Sequence, residues 1–189
     1  MGYSLVRIVI FAIVVFFLIG VFFAWRWWED KKLSEISYKD YEIRLAIQSE
    51  NYEKAEKLVQ SVAKERSPYT PLALSYMLYI ERKGQVGGND IKLLQEILSS
   101  LRDKELVSLY KERLAYAYFS VGNYQKALEV LESVKSDDFN YYSAQILKGL
   151  VLEKMGRGDQ AKAVYSQVEK LARGTYFGNL ASAFLMEER

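Results

Sequence analysis

The chain has no cysteine and no histidine among its 189 residues, and it has only two prolines. Without thiol or imidazole groups, the usual cysteine, histidine and zinc chemistries have no donor. The missing cysteine also excludes a lipid-modified N-terminal cysteine, although it does not identify the redox compartment. Tyrosines and carboxylates are plentiful, but no pair has a spacing that needs catalytic geometry. We therefore predict no enzyme, no cofactor, no metal site and no small-molecule substrate.

Acidic residues are absent from the first 28 positions, where Arg7 and Arg26 are the only charged side chains. The other 24 Lys and Arg and all 24 Asp and Glu follow Trp28, so the rest of the chain has no net charge. A neutral domain lacks the basic face that phosphate binding requires. Nucleic acid is therefore not an expected partner.

A run of 18 uncharged residues, 8–25, contains fourteen Ile, Val, Leu or Phe. As a helix rising about 1.5 Å per residue it spans roughly 27 Å, close to the hydrocarbon thickness of a bilayer. The run ends in Trp25, Arg26, Trp27 and Trp28, whose rings and long cationic side chain favour the lipid headgroup region. We predict an uncleaved membrane anchor over residues 1–28, in contact with the lipid bilayer through residues 8–28.

Two other interpretations of this run are less favoured. A cleaved signal peptide would have a shorter apolar core that ends in small residues. The other interpretation is a buried helix of a soluble protein, although membrane insertion of the fourteen apolar residues gains on the order of 4 to 8 kcal/mol. Gly20 and Ala24 form one small-xxx-small pair that admits a close partner helix. Lys and Arg counts on the two sides slightly favour a cytoplasmic domain, but with so few charges the orientation stays open.

No glycine or proline occurs from Val21 to Ser67, so nothing indicates a flexible linker after the anchor. Apolar residues at Leu33, Ile36 and Leu45 follow a helical pattern. The anchor helix is therefore expected to continue into the first helix of a second domain, residues 29–189, although a short break near Lys31 also fits.

The stretch GNYQKALEVLESV, residues 122–134, recurs along the chain. Residues 51–62 read NYEKAEKLVQSV, 72 positions earlier, and Gly156 and Ala161 lie 34 positions after Gly122 and Ala127. A fixed period of this size is typical of a solenoid built from helix pairs. We predict an all-α fold in which a single N-terminal transmembrane helix precedes about four helix pairs and a C-terminal capping helix.

Small residues at equivalent offsets let the two helices of a pair approach closely, and a larger residue fills the space beside them. The predicted packing residues are Ala115, Tyr118, Gly122, Ala127, Gly149, Gly156 and Ala161. The capping helix, residues 176–187, has Ala183 at the small position. Gly84, Gly87 and Gly88 are interpreted as a loop, since no Lys-Ser/Thr follows as in a phosphate cradle.

The small residue, aromatic residue, glycine, tyrosine and alanine at these offsets resemble the tetratricopeptide repeat over about residues 36–188. The order of a short tail, the anchor with its Trp25–Trp28 cluster, Arg113-Leu114-Ala115, and KGLVLEKMGRGDQAKAVY at residues 148–165 is similar to the YfgM-like ancillary subunits of the bacterial SecYEG translocon. That resemblance implies a single-pass inner-membrane protein with a cytoplasmic N-terminus and a periplasmic domain. It also implies association with the translocon and with a membrane-anchored periplasmic folding factor, and no catalytic residues.

If the helix pairs stack in the usual right-handed way, the first helix of each pair lines a concave face. The predicted partner-binding groove consists of Leu74, Met77, Leu78, Leu109, Tyr116, Phe119, Ile146 and Leu150. Such an apolar face suits an extended peptide or a partner helix. It can also be filled by the capping helix or a dimer partner, and the register of the second pair can be off by one.

Three functions remain open from the sequence. The first is an interaction scaffold at the SecYEG translocon, and the second is a scaffold for another envelope assembly, such as division or cytochrome maturation. The third is a chaperone-like holder of unfolded secreted clients.

Overall fold

A computed structural model describes residues 2–83 and 90–187, and its described elements are α-helices joined by short connections. The helices are α1 (Gly2–Gln48), α2 (Tyr52–Lys64), α3 (Thr70–Lys83), α4 (Asp90–Ser100), α5 (Lys104–Ser120), α6 (Tyr124–Glu132), α7 (Tyr141–Lys154), α8 (Gly158–Leu171) and α9 (Tyr176–Glu187). The all-α prediction with four helix pairs and a terminal helix is confirmed. Gly84, Gly87 and Gly88 lie outside the described residues.

The chain divides into two compact units, Met1–Ala73 and Leu74–Arg189. In the first unit α2 packs against α1. In the second unit each helix from α4 to α9 packs against the next one, and α7 also contacts α5 and α9. The division into residues 1–28 and 29–189, which separates a membrane part from an aqueous part, stays a prediction.

Helix α1 runs through all 47 residues of Gly2–Gln48 without a break at Lys31. The part from Val9 onward is long and apolar enough to cross a membrane. Beyond Trp28, one face of α1 is buried against α2, through Ile36, Ile43 and Ala46. The anchor helix and the first repeat helix are therefore one continuous element.

The contact between α1 and α2 is mainly apolar. Ala55, Val59 and Val62 of α2 are fully buried. At the edge, Lys32 Nζ lies 3.0 Å from a Glu65 carboxylate oxygen, and this hydrogen bond holds the pKa of Glu65 below its ordinary value. The bridge stabilises the fold above the ordinary pKa of a glutamate and is lost as the pH falls through the lowered pKa. Because the pair is partly exposed, its contribution is small beside the apolar contact.

The turns between paired helices use a left-handed residue. Gly122 has φ +77° and Gly156 has φ +72°. At both turns the next residue closes the helix, since Asn123 N donates to Tyr118 O at 2.9 Å and Arg157 N donates to Leu152 O at 2.9 Å. This is the glycine-dependent helix end that satisfies the last carbonyls. Glycine adopts the conformation without steric cost.

The first pair makes the same turn with a glutamate. Glu50, 72 positions before Gly122, has φ +57°, and Asn51 N donates to Ala46 O at 2.8 Å. An L-residue in this region costs about 1–2 kcal/mol. The three turns therefore have the same conformation, and in the first one the backbone of Glu50 is strained.

In the first, third and fourth pairs, the residues at two equivalent positions of the paired helices have complementary sizes. Gly149 of α7 lies under the ring of Tyr165 of α8, so closely that an added Cβ would be 2.1 Å from Tyr165 Cε1. At the equivalent places the third pair has Ala115 and Leu131, both fully buried. The first pair has Ile43 and Val59, also fully buried. As the residue on the first helix becomes smaller, the one on the second becomes larger, which keeps the interior filled.

Helix α9 shows what happens when a pair is incomplete. Ala183, at the small position, is exposed, whereas Ala181 is fully buried. The small position faces the second helix of its own pair, and within the described residues no helix follows α9. Ala181 lies 34 positions after the buried Leu147 and, like it, faces the preceding pair. The exposure of Ala183 therefore fits a terminal helix whose small position has no second helix beside it in the described residues.

Replacing Gly149 by alanine is expected to destabilise the protein by about 1–3 kcal/mol, because the methyl group collides with a buried ring. This loss outweighs the gain of about 1 kcal/mol in helix propensity. Adding Tyr165→Leu reproduces the Ala115–Leu131 combination and should recover part of the loss. Urea unfolding of the two single variants and the double variant, followed by circular dichroism, measures the coupling. Strictly additive effects would contradict the size complementarity.

Replacing Glu50 by glycine is expected to raise the free energy of unfolding by about 0.5–1 kcal/mol, because it removes the left-handed strain. Gly122→Ala is the matched control and should lower it by about 1 kcal/mol, since an added Cβ there meets no atom within 4 Å and only the backbone conformation is affected. Thermal unfolding of both variants tests the pair of predictions. A loss of stability in the Glu50→Gly variant would show that its side chain has another role.

Candidate protein-interaction surface

The predicted groove residues differ in accessibility. Leu74, Met77, Leu78 and Ile146 are each at most 8% exposed and so belong mainly to the interior. Leu109, Phe119 and Leu150 are half-buried, and Tyr116 is 59% exposed. The buried residues of helix α3 form one broad face, which includes Ala73 and Ile80 as well as the three predicted groove residues. The surface open to a partner is therefore centred on α5 rather than spread over three helices.

An aromatic cluster occupies the end of α5 and the start of α6. The ring centroids of Tyr116 and Phe119 are 6.4 Å apart, and those of Phe119 and Tyr124 are 5.7 Å apart. Val121, in the turn between the helices, is 67% exposed. We call these four residues the α5 aromatic cluster. Aromatic side chains provide large contact areas at low entropic cost, and they are enriched among residues that dominate binding energy.

A buried polar network holds α5 and the start of α7 together. Asn140 Nδ2 donates to Glu112 Oε2 at 2.6 Å and to the Ser108 carbonyl at 3.0 Å, and Ser108 Oγ donates to Asn140 Oδ1 at 2.7 Å. Ser143 Oγ donates to the other Glu112 carboxylate oxygen. Both oxygens of Glu112 are therefore occupied. The network fixes the spacing between the two helices whose faces were predicted to bind a partner.

Sequence reasoning missed this network. Ser108 is 2% and Asn140 is 6% exposed, although both residue types are usually found at the surface. The residues lie 32 positions apart, and only their stacking in space makes them partners. An asparagine just before α7 predicts no more than a helix cap, and the structure shows no side-chain cap hydrogen bond there.

Two lysines of α5 contact the part of the chain that follows α6. Lys104 Nζ lies 2.6 Å from Asp137 Oδ2, which lowers the pKa of the aspartate and raises that of the lysine, mainly through their hydrogen bond. Lys111 Nζ donates to the Ser133 carbonyl at 3.0 Å. These contacts connect α5 to the loop between α6 and α7.

The packing residues form the support beneath the surface. Ala115, Ala127 and Ala161 are fully buried. Tyr118 is 6% exposed, and its hydroxyl accepts a hydrogen bond from Gln95 Nε2 at 2.9 Å. This bond connects α5 to α4. These residues therefore hold helices in place rather than contact a partner.

The anchor end of α1 presents a second exposed surface. Trp25, Trp27 and Trp28 are each more than half exposed, and Arg26 is exposed beside them. Lys31 Nζ lies 5.7 Å from the Trp27 ring centroid, and Lys32 Nζ lies 5.7 Å from that of Trp28. The membrane-interface role of this cluster stays a prediction, in keeping with an apolar helix that ends in amphipathic rings and cations.

Helix pairs with small-to-large packing, glycine turns and an exposed aromatic face define the chain as a helical-repeat scaffold of protein interactions. Such scaffolds are typically not enzymes. The family model described as a tetratricopeptide repeat-like domain matches residues 4–178, so the chain belongs to that family.

Similar proteins support this assignment. An uncharacterized protein of Aquifex aeolicus is 31% identical over 135 residues, which cover 61% of this chain and 79% of that protein. A protein of Haemophilus influenzae named ancillary SecYEG translocon subunit is 28% identical over 186 residues, covering 89% of this chain and 88% of that one. A tetratricopeptide repeat protein from Parabacteroides merdae has a similar structure, with a TM-score of 0.63 and 14% identity over 79% of this chain. The match spans 58% of that protein, and it supports the fold alone.

Proposed function

We propose that the chain is an ancillary subunit of the bacterial SecYEG translocon that acts as an interaction scaffold. In this proposal α1 anchors it in the inner membrane, the N-terminus is cytoplasmic and the repeats lie in the periplasm. The observation that carries the proposal is the similarity to the Haemophilus influenzae protein of that name.

For this proposal, the share of the chain that is aligned is more informative than the percentage of identical residues. The aligned part is 89% of this chain, which is more than residues 29–189 alone can supply, so it includes part of the anchor helix. The family model likewise begins at residue 4, near the start of α1. Similarity limited to the repeats would support any scaffold. Similarity that also includes the anchor favours a membrane-bound partner.

The α5 aromatic cluster is the surface that we propose for partner binding. It combines an exposed Tyr116 with a half-buried Phe119, so one ring is available for contact and the other holds it in position. The polar network around Glu112 keeps the neighbouring helix at a constant distance. A membrane-anchored periplasmic folding factor, which the family resemblance implies, is the second partner proposed for the scaffold.

Purification of the tagged full-length chain in mild detergent is expected to recover translocon subunits. Tyr116→Ala should reduce that recovery about tenfold or more, because loss of an aromatic anchor typically costs at least about 1.4 kcal/mol. Tyr176→Ala is the matched control, since Tyr176 is 72% exposed on α9, outside the cluster. Mass spectrometry of the recovered proteins measures both effects.

The possible outcomes separate the function from the site. Recovery of division or cytochrome-maturation proteins without translocon subunits would replace the proposed function by the second alternative. Recovery of many unfolded secreted proteins would favour the chaperone-like holder. Equal recovery with wild-type chain and the Tyr116→Ala variant would leave the function standing and exclude the α5 aromatic cluster as the contact.

The orientation is tested by cysteine labelling, because the chain has no cysteine of its own. Ser136, exposed in the loop before α7, is expected to react as Ser136→Cys with a membrane-impermeant maleimide in cells whose outer membrane has been permeabilised. Ser4→Cys, on the other side of the anchor, should react only after the inner membrane is dissolved. The reverse labelling pattern would place the repeats in the cytoplasm.

A further inference from the structure

The part of α1 that packs against α2, about residues 36–46, has an exposed apolar face on its opposite side. Tyr38 is 63%, Tyr41 is 51% and Leu45 is 45% exposed. On the other side of the helix, Ile36 and Ile43 are buried. We call Tyr38, Tyr41 and Leu45 the α1 outer face.

The same positions are buried in the fourth pair. Ala144, Leu147 and Val151 lie 106 residues after the three members of the α1 outer face and are 0%, 8% and 0% exposed. They belong to α7, which packs against α5 and α6 of the preceding pair. In the terminal helix α9, the equivalent positions include the buried Gly178 and Ala181. These positions therefore form the stacking contact of a pair with the one before it.

In the third pair, one of these positions makes the stacking contact and another has a different type of residue. Tyr110, equivalent to Tyr38, is 9% exposed, and its hydroxyl lies 2.6 Å from Ser75 Oγ of α3. At the place of Tyr41 this pair has Arg113, whose guanidinium lies 5.3 Å from the Tyr110 ring centroid. An arginine is thus compatible with this position of the fold. Large apolar residues there are not required by the helix itself.

Within the described residues no helix pair precedes α1, yet its stacking positions carry three large side chains, two tyrosines and a leucine. The outer side of a terminal repeat is usually polar, because it meets water. A face with two tyrosines and a leucine has the composition of a buried contact rather than of a cap.

The face continues along α1 towards the membrane. Steps of three and four residues connect it to Ser34, Lys31, Trp27, Ala24 and Gly20, all of them exposed. This average spacing of 3.5 residues places them on one stripe of the helix. An added Cβ at Gly20 would meet no atom within 4 Å, so packing within the chain does not explain a residue that costs a helix about 1 kcal/mol. Close approach of another helix at Gly20 and Ala24 would explain it.

We propose that this stripe is the contact between two copies of the chain, which form a parallel dimer along α1. Two copies in one membrane have the same orientation and the same depth, so a two-fold axis along the membrane normal places each position opposite its counterpart. Since α1 is unbroken, alignment at Gly20 and Ala24 also aligns the α1 outer faces. A partner with another sequence would have to match both parts separately. Lys31 places two like charges near the axis, at a level where water and salt screen them.

Single cysteines in the full-length chain test the dimer in native membranes. Ser34→Cys and Tyr41→Cys are expected to form disulfide-linked dimers rapidly with copper phenanthroline. Gln60→Cys, exposed on α2 and outside the stripe, is the control and should react at least about tenfold more slowly. Equal rates at all three positions would indicate random collision and overturn the proposal. A product that contains a different protein would also overturn it.

A variant based on the third pair tests the contact without disturbing the fold. Tyr41→Arg copies Arg113 and is expected to shift the purified full-length chain in detergent from dimer to monomer in analytical ultracentrifugation. Its helical circular dichroism should match that of wild-type chain, whereas its unfolding midpoint should lose the dependence on protein concentration that a dimer gives. A wild-type chain that sediments as a monomer, or a Tyr41→Arg variant that stays fully dimeric, would overturn the proposal. Neither experiment depends on the translocon, so these results are separate from those that test the proposed function.

Discussion

The close approach of two helices at a small residue is the contact on which the repeat architecture depends. Gly149 admits the ring of Tyr165, and Ala115 and Leu131 occupy the same places with a different division of volume. Helix α9, which has no partner at this place within the described residues, exposes its small residue, Ala183. The recurring GNYQKALEVLESV stretch is thus a structural unit rather than a partner-binding motif.

The second constraint is the continuity of α1. A helix that is both anchor and first repeat helix has no linker, so the buried contact of Ile43 with the α2 layer begins a few turns beyond the tryptophan cluster. Association within the bilayer and association outside it are then coupled through one rigid element. A flexible linker would make the two independent. The α1 outer face and the Gly20–Ala24 pair can belong to one contact surface only because no break in the helix separates them.

The α5 aromatic cluster depends on buried polar groups that do not contact a partner themselves. Asn140 and Ser108 satisfy each other and Glu112, which leaves no unpaired carboxylate oxygen on Glu112 beside the apolar rings. Low dielectric strengthens these hydrogen bonds and makes loss of any one costly. Hydrogen bonds between α5 and α7 therefore position the cluster, and the residues of the cluster take no part in these bonds.

Period, helix class and the long apolar run of α1 were determined by the sequence alone, because hydrophobic spacing and turn residues are local properties of the chain. The start of α3 near Pro71 is typical of a proline in the first helical turn, and the left-handed turns at Gly122 and Gly156 follow from glycine chemistry. Accessibility was decided only by the tertiary structure. Leu74, Met77, Leu78 and Ile146 fit a groove by register but are covered by neighbouring helices, and Ser108 finds Asn140 across 32 residues. The physical reason is that burial depends on which helices pack around a residue, and a repeat pattern does not distinguish a face that another element covers from one that is open.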